Sequence, residues 1–104
     1  MTDNRIAALA AEVQVGWTVD ITDHDHLADS REGAAVERII DGDLILKARR
    51  PWNSQGRSFP HMSFTWTGDL EADGHTVRLY HTPPPHTGKS RRLIKTFRFH
   101  PPTA

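Results

Sequence analysis

From Val13 to Ile21 the chain alternates: Val13, Val15, Trp17, Val19 and Ile21 are separated by Gln14, Gly16, Thr18 and Asp20. A period of two with β-branched residues marks a half-buried strand, predicted over about 14–22. Ahead of it, Ile6, Leu9, Ala10 and Val13 recur at helical spacing behind Asp3 or Asn4, either of which can cap. A short helix is predicted over about 4–12. A second strand, about 34–41, leads through Asp41-Gly42-Asp43 into a third, about 44–49. Ile39-Ile40 and Leu44-Ile45-Leu46 break the alternation there, as a bulge or burial on both faces would. Met62, Phe64 and Trp66 alternate again in a fourth strand, expected to run on through Gly68 to Ala72. Asp73-Gly74 then marks a two-residue turn, which would set Leu70 against Val77, Gly68 against Leu79 and Asp69 against Arg78. A last strand, about 92–99, carries Leu93, Phe97 and Phe99 on one face.

Three stretches fall outside this pattern. Residues 23–33 form a polar loop in which Leu27 is expected to tuck underneath. Residues 50–58 are punctuated by Pro51, Asn53 and Gly56, and residues 83–91 open with three prolines that remove ladder donors. The prediction is one domain spanning 1–104, mainly β, with a short N-terminal helix over about 4–12 and strands over about 14–99. About six strands on so short a chain suggest a small SH3-like or related β-barrel, or a curled antiparallel sheet.

Composition narrows the class. A chain of 104 residues with 37% hydrophobic and 25% charged side chains reads as soluble and globular, with enough apolar residues for one core. With no cysteine, disulfides, thiolate metal sites and a cysteine nucleophile are all excluded. No run approaches the roughly 18 apolar residues of a membrane span. The apolar stretch behind the polar Met1–Arg5 start ends at Glu12, so no secretory leader and a cytoplasmic location are expected.

Charge changes the picture most. Residues 1–46 hold three basic side chains and ten acidic ones, a net −7, whereas residues 47–104 hold ten basic and three acidic, a net +7. Such sorting implies either a partner for one half or mutual neutralisation. Arginine outnumbers lysine ten to three, which suits bidentate phosphate recognition, though the plentiful Ala and low Lys favour a GC-rich genome as the cause.

Val15-Gly16-Trp17-Thr18-Val19-Asp20-Ile21, the polar loop, Arg31-Glu32-Gly33-Ala34-Ala35-Val36-Glu37-Arg38-Ile39 and then Leu44-Ile45-Leu46 resembles an SH3-like barrel of the KOW type. Gly16 and Gly33 would match that family's two glycines, over roughly residues 15–47. The resemblance implies a nucleic-acid-binding or protein-docking module and no catalysis. The doubled Ile39-Ile40 and the long strand pair after residue 58 depart from the pattern.

The candidate nucleic-acid-binding residues are Lys47, Arg49, Arg50 and Arg57 around Trp52, with Lys89, Arg91 and Arg92 behind the prolines. Clustered cations release counterions from phosphates, and an aromatic among them can stack on an unpaired base. The competing reading pairs these cations with the acidic half. Asp23-His24-Asp25-His26 alternates metal-ligand types, but on a strand the two kinds face opposite ways, so a solvated loop is expected and no metal or other cofactor. Gly88-Lys89-Ser90 lacks the earlier glycine of a phosphate loop, position 83 being Pro83. No nucleophile elbow, paired-carboxylate motif or HExxH occurs, so an enzyme is not expected. The expectation is a non-catalytic nucleic-acid-binding module, DNA or RNA. The alternative is a protein-interaction module, such as an accessory factor of a phage or mobile element, docking through acidic loop 23–33 or the Trp52 loop.

Overall fold

In the computed structural model, which describes residues 4–103, one helix and seven antiparallel strands form a single sheet. The elements are α1 (Asn4–Glu12), β1 (Thr18–Asp23), β2 (Arg31–Ile40), β3 (Asp43–Ser54), β4 (Arg57–Phe64), β5 (Asp69–Asp73), β6 (Thr76–His81) and β7 (Arg92–His100). The helix occupies the predicted span; its alternative cap, Asp3, lies outside the described residues. The strand order is β4-β3-β2-β1-β7-β6-β5, so β4 and β5 are the two edges and are not paired with each other.

The sheet is open, yet it curls. Laid flat, seven strands would separate β4 from β5 by about 29 Å. The five residue steps from Phe64 to Asp69 reach at most about 18 Å. The covalent connection therefore forces the edges toward each other. Packing agrees: Phe64 of β4 meets Phe97 and Phe99 of β7 edge to face, with ring centroids 4.7 and 5.6 Å apart, although three strands lie between them in the sheet. Trp66, in the connection, stacks on Phe99 at 5.6 Å.

The concave face holds the core. Val19, Ile21, Val36, Leu44, Leu46, Phe64, Val77, Phe97 and Phe99 are buried there, and Ile6 and Leu9 of α1 join Val13, Trp17 and Ala72. The helix packs along edge strand β5. Glu12 at its end accepts a hydrogen bond from the His75 ring at 3.0 Å, and Trp17 meets that ring edge to face.

Several expectations are corrected. There are seven strands rather than about six, because the predicted fourth strand breaks at Thr65–Gly68 and its second part becomes the opposite edge. The break lets Phe64 and Trp66 cover β7. The predicted loop 50–58 is instead a hairpin tip: β3 extends to Ser54 and β4 starts at Arg57, around Gln55-Gly56. Pro51 is accommodated by a wide bulge, in which residues 48–51 oppose Pro60 alone. The β5–β6 pairing is shifted by two, with Leu70 against Leu79 and Glu71 against Arg78. Gly74, at φ +61°, takes the first central position of the turn, as a type II′ turn requires, where the expectation had it second. A shift of two leaves every side chain on its predicted face. Leu27 is 71% exposed and does not tuck under its loop.

Candidate nucleic-acid interface

Antiparallel order fixes which loops meet. β1, β3 and β6 all run toward one end of the sheet, so the turns after them, at 24–30, 55–56 and 82–91, gather at that end. The acidic loop thus lies between the two basic ones, and the opposite charges engage.

Arg31 is the centre of this junction. Its buried guanidinium donates from Nε to the Arg50 carbonyl at 2.8 Å, from Nη1 to the Ala28 and Ser30 carbonyls at 2.8 and 2.7 Å, and from Nη2 to the Pro51 carbonyl at 2.6 Å. It also lies 5.2 Å from the Trp52 ring centre. Burial first, and then the neighbouring Arg50 charge, lower its pKa from the usual arginine value. Arg50 donates to the Ala28 carbonyl at 3.1 Å, and the Trp52 indole to the Asp29 carbonyl at 3.0 Å. These bonds bind the 27–30 turn to the bulge of β3, so Arg50 and Trp52 serve the fold.

Two more of the sequence candidates are similarly held. Arg92 pairs with Asp25. Arg91 forks onto Asp69 at 2.7 and 2.8 Å, reaches Glu71 at 2.9 Å, and lies over the Tyr80 ring at 3.6 Å. The Arg91 hydrogen bond, and after it the Thr82 hydroxyl, bring the Asp69 carboxyl down to about 2. Those carboxylates in turn raise the Arg91 pKa.

The Asp23–His26 stretch resolves into four separate roles. Buried Asp23 accepts the amides of Asp25 and His26 through Oδ1, both at 3.0 Å, as an Asx turn does. His24 Nε2 lies 2.8 Å from Thr96 Oγ1, Asp25 holds Arg92, and His26 is exposed. Among the described residues no group of three or more potential ligands is placed to hold a metal ion. Among the described residues no carboxylate hydrogen-bonds to His24.

A groove of about 610 Å³ runs over the convex face of β1 and β7. It carries Asp20 and Glu32 beside Arg50 and Arg98, a mixed lining unsuited to a polyanion. Burial pushes the Asp20 carboxyl up, but the Gly33 amide, the His100 ring and the Arg98 charge together hold it below its ordinary value.

Lys47, Arg49, Arg57 and Lys89 remain. Lys47 is exposed and reaches Glu37 only at 3.9 Å. Arg49, Arg57 and Lys89 are exposed, and among the described residues none of the three has an ion pair. Three of these four stand on the β3–β4 hairpin, where Lys47 opposes His61 and Phe59 is 43% exposed. Residues 44–68 contain four cations and no carboxylate. Of the four sequence candidates that escape strong pairing, three therefore share edge hairpin β3–β4, with Phe59 as its aromatic. Sequence reasoning chose Trp52 over Phe59 for that role; the acid-free run was its available clue. Comparison with family models, curated proteins and solved structures finds no match for this chain.

Proposed function

We propose that the chain is a non-catalytic module that binds single-stranded nucleic acid along the β3–β4 hairpin. The carrying observation is that Lys47, Arg49 and Arg57 escape strong internal pairing and share this hairpin with half-exposed Phe59. Cations on one strand pair can follow a phosphate backbone, and Phe59 gives a base a face to stack on, worth about 1–3 kcal/mol. The KOW-type resemblance across 15–47 favours the same class of partner, and the curl of the open sheet suits a small barrel-like module.

Fluorescence anisotropy with mixed-sequence oligonucleotides at low salt tests this. Expected are a Kd of about 10⁻⁴–10⁻⁶ M, and a log–log salt slope near −2 for about three neutralised phosphates on a single strand. Phe59→Ala and Arg49→Ala/Arg57→Ala should each weaken binding about tenfold. Absence of binding below ~10⁻⁴ M at low salt, or variants that bind like the parent chain, would overturn the proposal. In that event the exposed Leu27 on the acidic loop favours the second reading, docking of a protein with a basic, partly apolar surface.

A further inference from the structure

Along the seam between β4 and the β5–β6 hairpin lies a half-open cavity of about 160 Å³. Its apolar walls are Met62 and Phe64 from β4, Leu70 and Leu79 from β5 and β6, and Phe97 from β7; Lys95 and the hydroxyls of Ser63, Thr65 and Thr67 complete the lining. The cavity follows from the topology. No ladder joins the two edges, so their side chains approach across a gap that backbone hydrogen bonds do not close.

Lys95 is the one cation in this lining. It shares the concave face with Phe97, two residues on, and stands against Leu79 in register. It is only partly exposed, and among the described residues its side chain makes neither an ion pair nor a hydrogen bond. Asp23 is its register partner across β1–β7, but that carboxylate is committed to the Asp25 and His26 amides. The partly buried Lys95 side chain thus brings to this wall a cation that has no ion-pair partner among the described residues. A ligand carrying its own carboxylate would supply that partner while filling the cavity. Size points the same way, because an apolar cavity of about 150 Å³ accommodates one benzene ring.

We infer that the seam is a binding site for a small aromatic carboxylate, its ring between Phe64, Leu70, Leu79 and Phe97 and its carboxylate on the Lys95 ammonium. This site lies on the concave face and is independent of the hairpin surface proposed for nucleic acid.

Titration with benzoate, followed by backbone amide NMR shifts on the full chain, tests it, with benzyl alcohol as the neutral analogue of similar shape. Expected are saturable shifts centred on Leu70, Leu79 and Lys95, with benzoate binding about tenfold tighter than benzyl alcohol, as a charge-assisted hydrogen bond provides. Lys95→Met should remove that preference while benzyl alcohol still binds, and Lys95→Arg should keep it. Three results would each overturn the site: equal affinity for the two probes in the parent chain, a benzoate preference that survives Lys95→Met, or benzoate shifts confined to Arg49–Arg57. The two probes compared on the parent chain decide between these outcomes even if one variant misfolds.

Discussion

Arg31 directs its hydrogen bonds at backbone carbonyls and none at a carboxylate. Its removal would strand several acceptors in a buried place, each with a desolvation cost. Arg31→Met is expected to lower unfolding free energy by about 2–4 kcal/mol, read as a reduced urea midpoint. Arg31→Lys should recover little of it, because an ammonium cannot fork. A loss under about 1 kcal/mol would show that water replaces the guanidinium. Asp69 makes a second residue-scale prediction. Its folded pKa of about 2 lies below the ordinary value of 3.8, so its contribution is fully present above about pH 4 and is lost as pH falls through 2. The urea midpoint of the parent chain should therefore fall more steeply between pH 4 and 2 than that of Asp69→Asn. Equal slopes would mean that the Arg91 fork does not persist in solution.

At the scale of elements, α1 is a cover for the β5 edge as much as a helix. Leu9 is 2% exposed and sits among the core residues. Leu9→Ala should cost about 2–5 kcal/mol, and amide exchange should quicken first along β5 and the β5–β6 turn. Uniform acceleration across the sheet would instead make the helix a general core element. The helix and the strand faces were legible because they follow from periods of 3.6 and 2. The β5–β6 register was not, because Asp73-Gly74 suits a turn with glycine in either central position, and the packing of Leu70 on Leu79 selects one. Nor was the end of β4 legible: Thr65-Trp66-Thr67 continues the alternation, but the β3–β4 ladder ends at the Leu44–Phe64 pair, and beyond it Trp66 stacks on Phe99.

For the whole molecule, the sorted charges fold into mutual contact. Carboxylates of the first half, Glu12, Asp20, Asp25 and Glu37, meet His75, His100, Arg92, and Lys47 with His61 of the second. The formal net charge is zero with a pI near 7.1, so repulsion between copies is weakest near neutrality. Solubility at low salt should pass through a minimum near the pI of about 7.1 and rise on either side of it. Precipitation curves in polyethylene glycol would show this, and a flat profile would mean that association does not follow net charge.

The order of residues alone determined a mainly β chain with a short leading helix, the faces of its strands and a basic second half, because side-chain period and charge are local properties. Which cations stay available was decided only by the tertiary structure. Arg50, Arg91 and Arg92 look like Arg49 and Arg57 in sequence, yet among the described residues the first three find carbonyls or carboxylates and the other two do not. That outcome depends on strand order, which brings three loops to one end, and on a bulge in β3. The seam with Lys95 was equally invisible, because it lies between two edges that meet only when the sheet curls. Pairing and curling bring together residues far apart in sequence, and no local pattern encodes the distance between them.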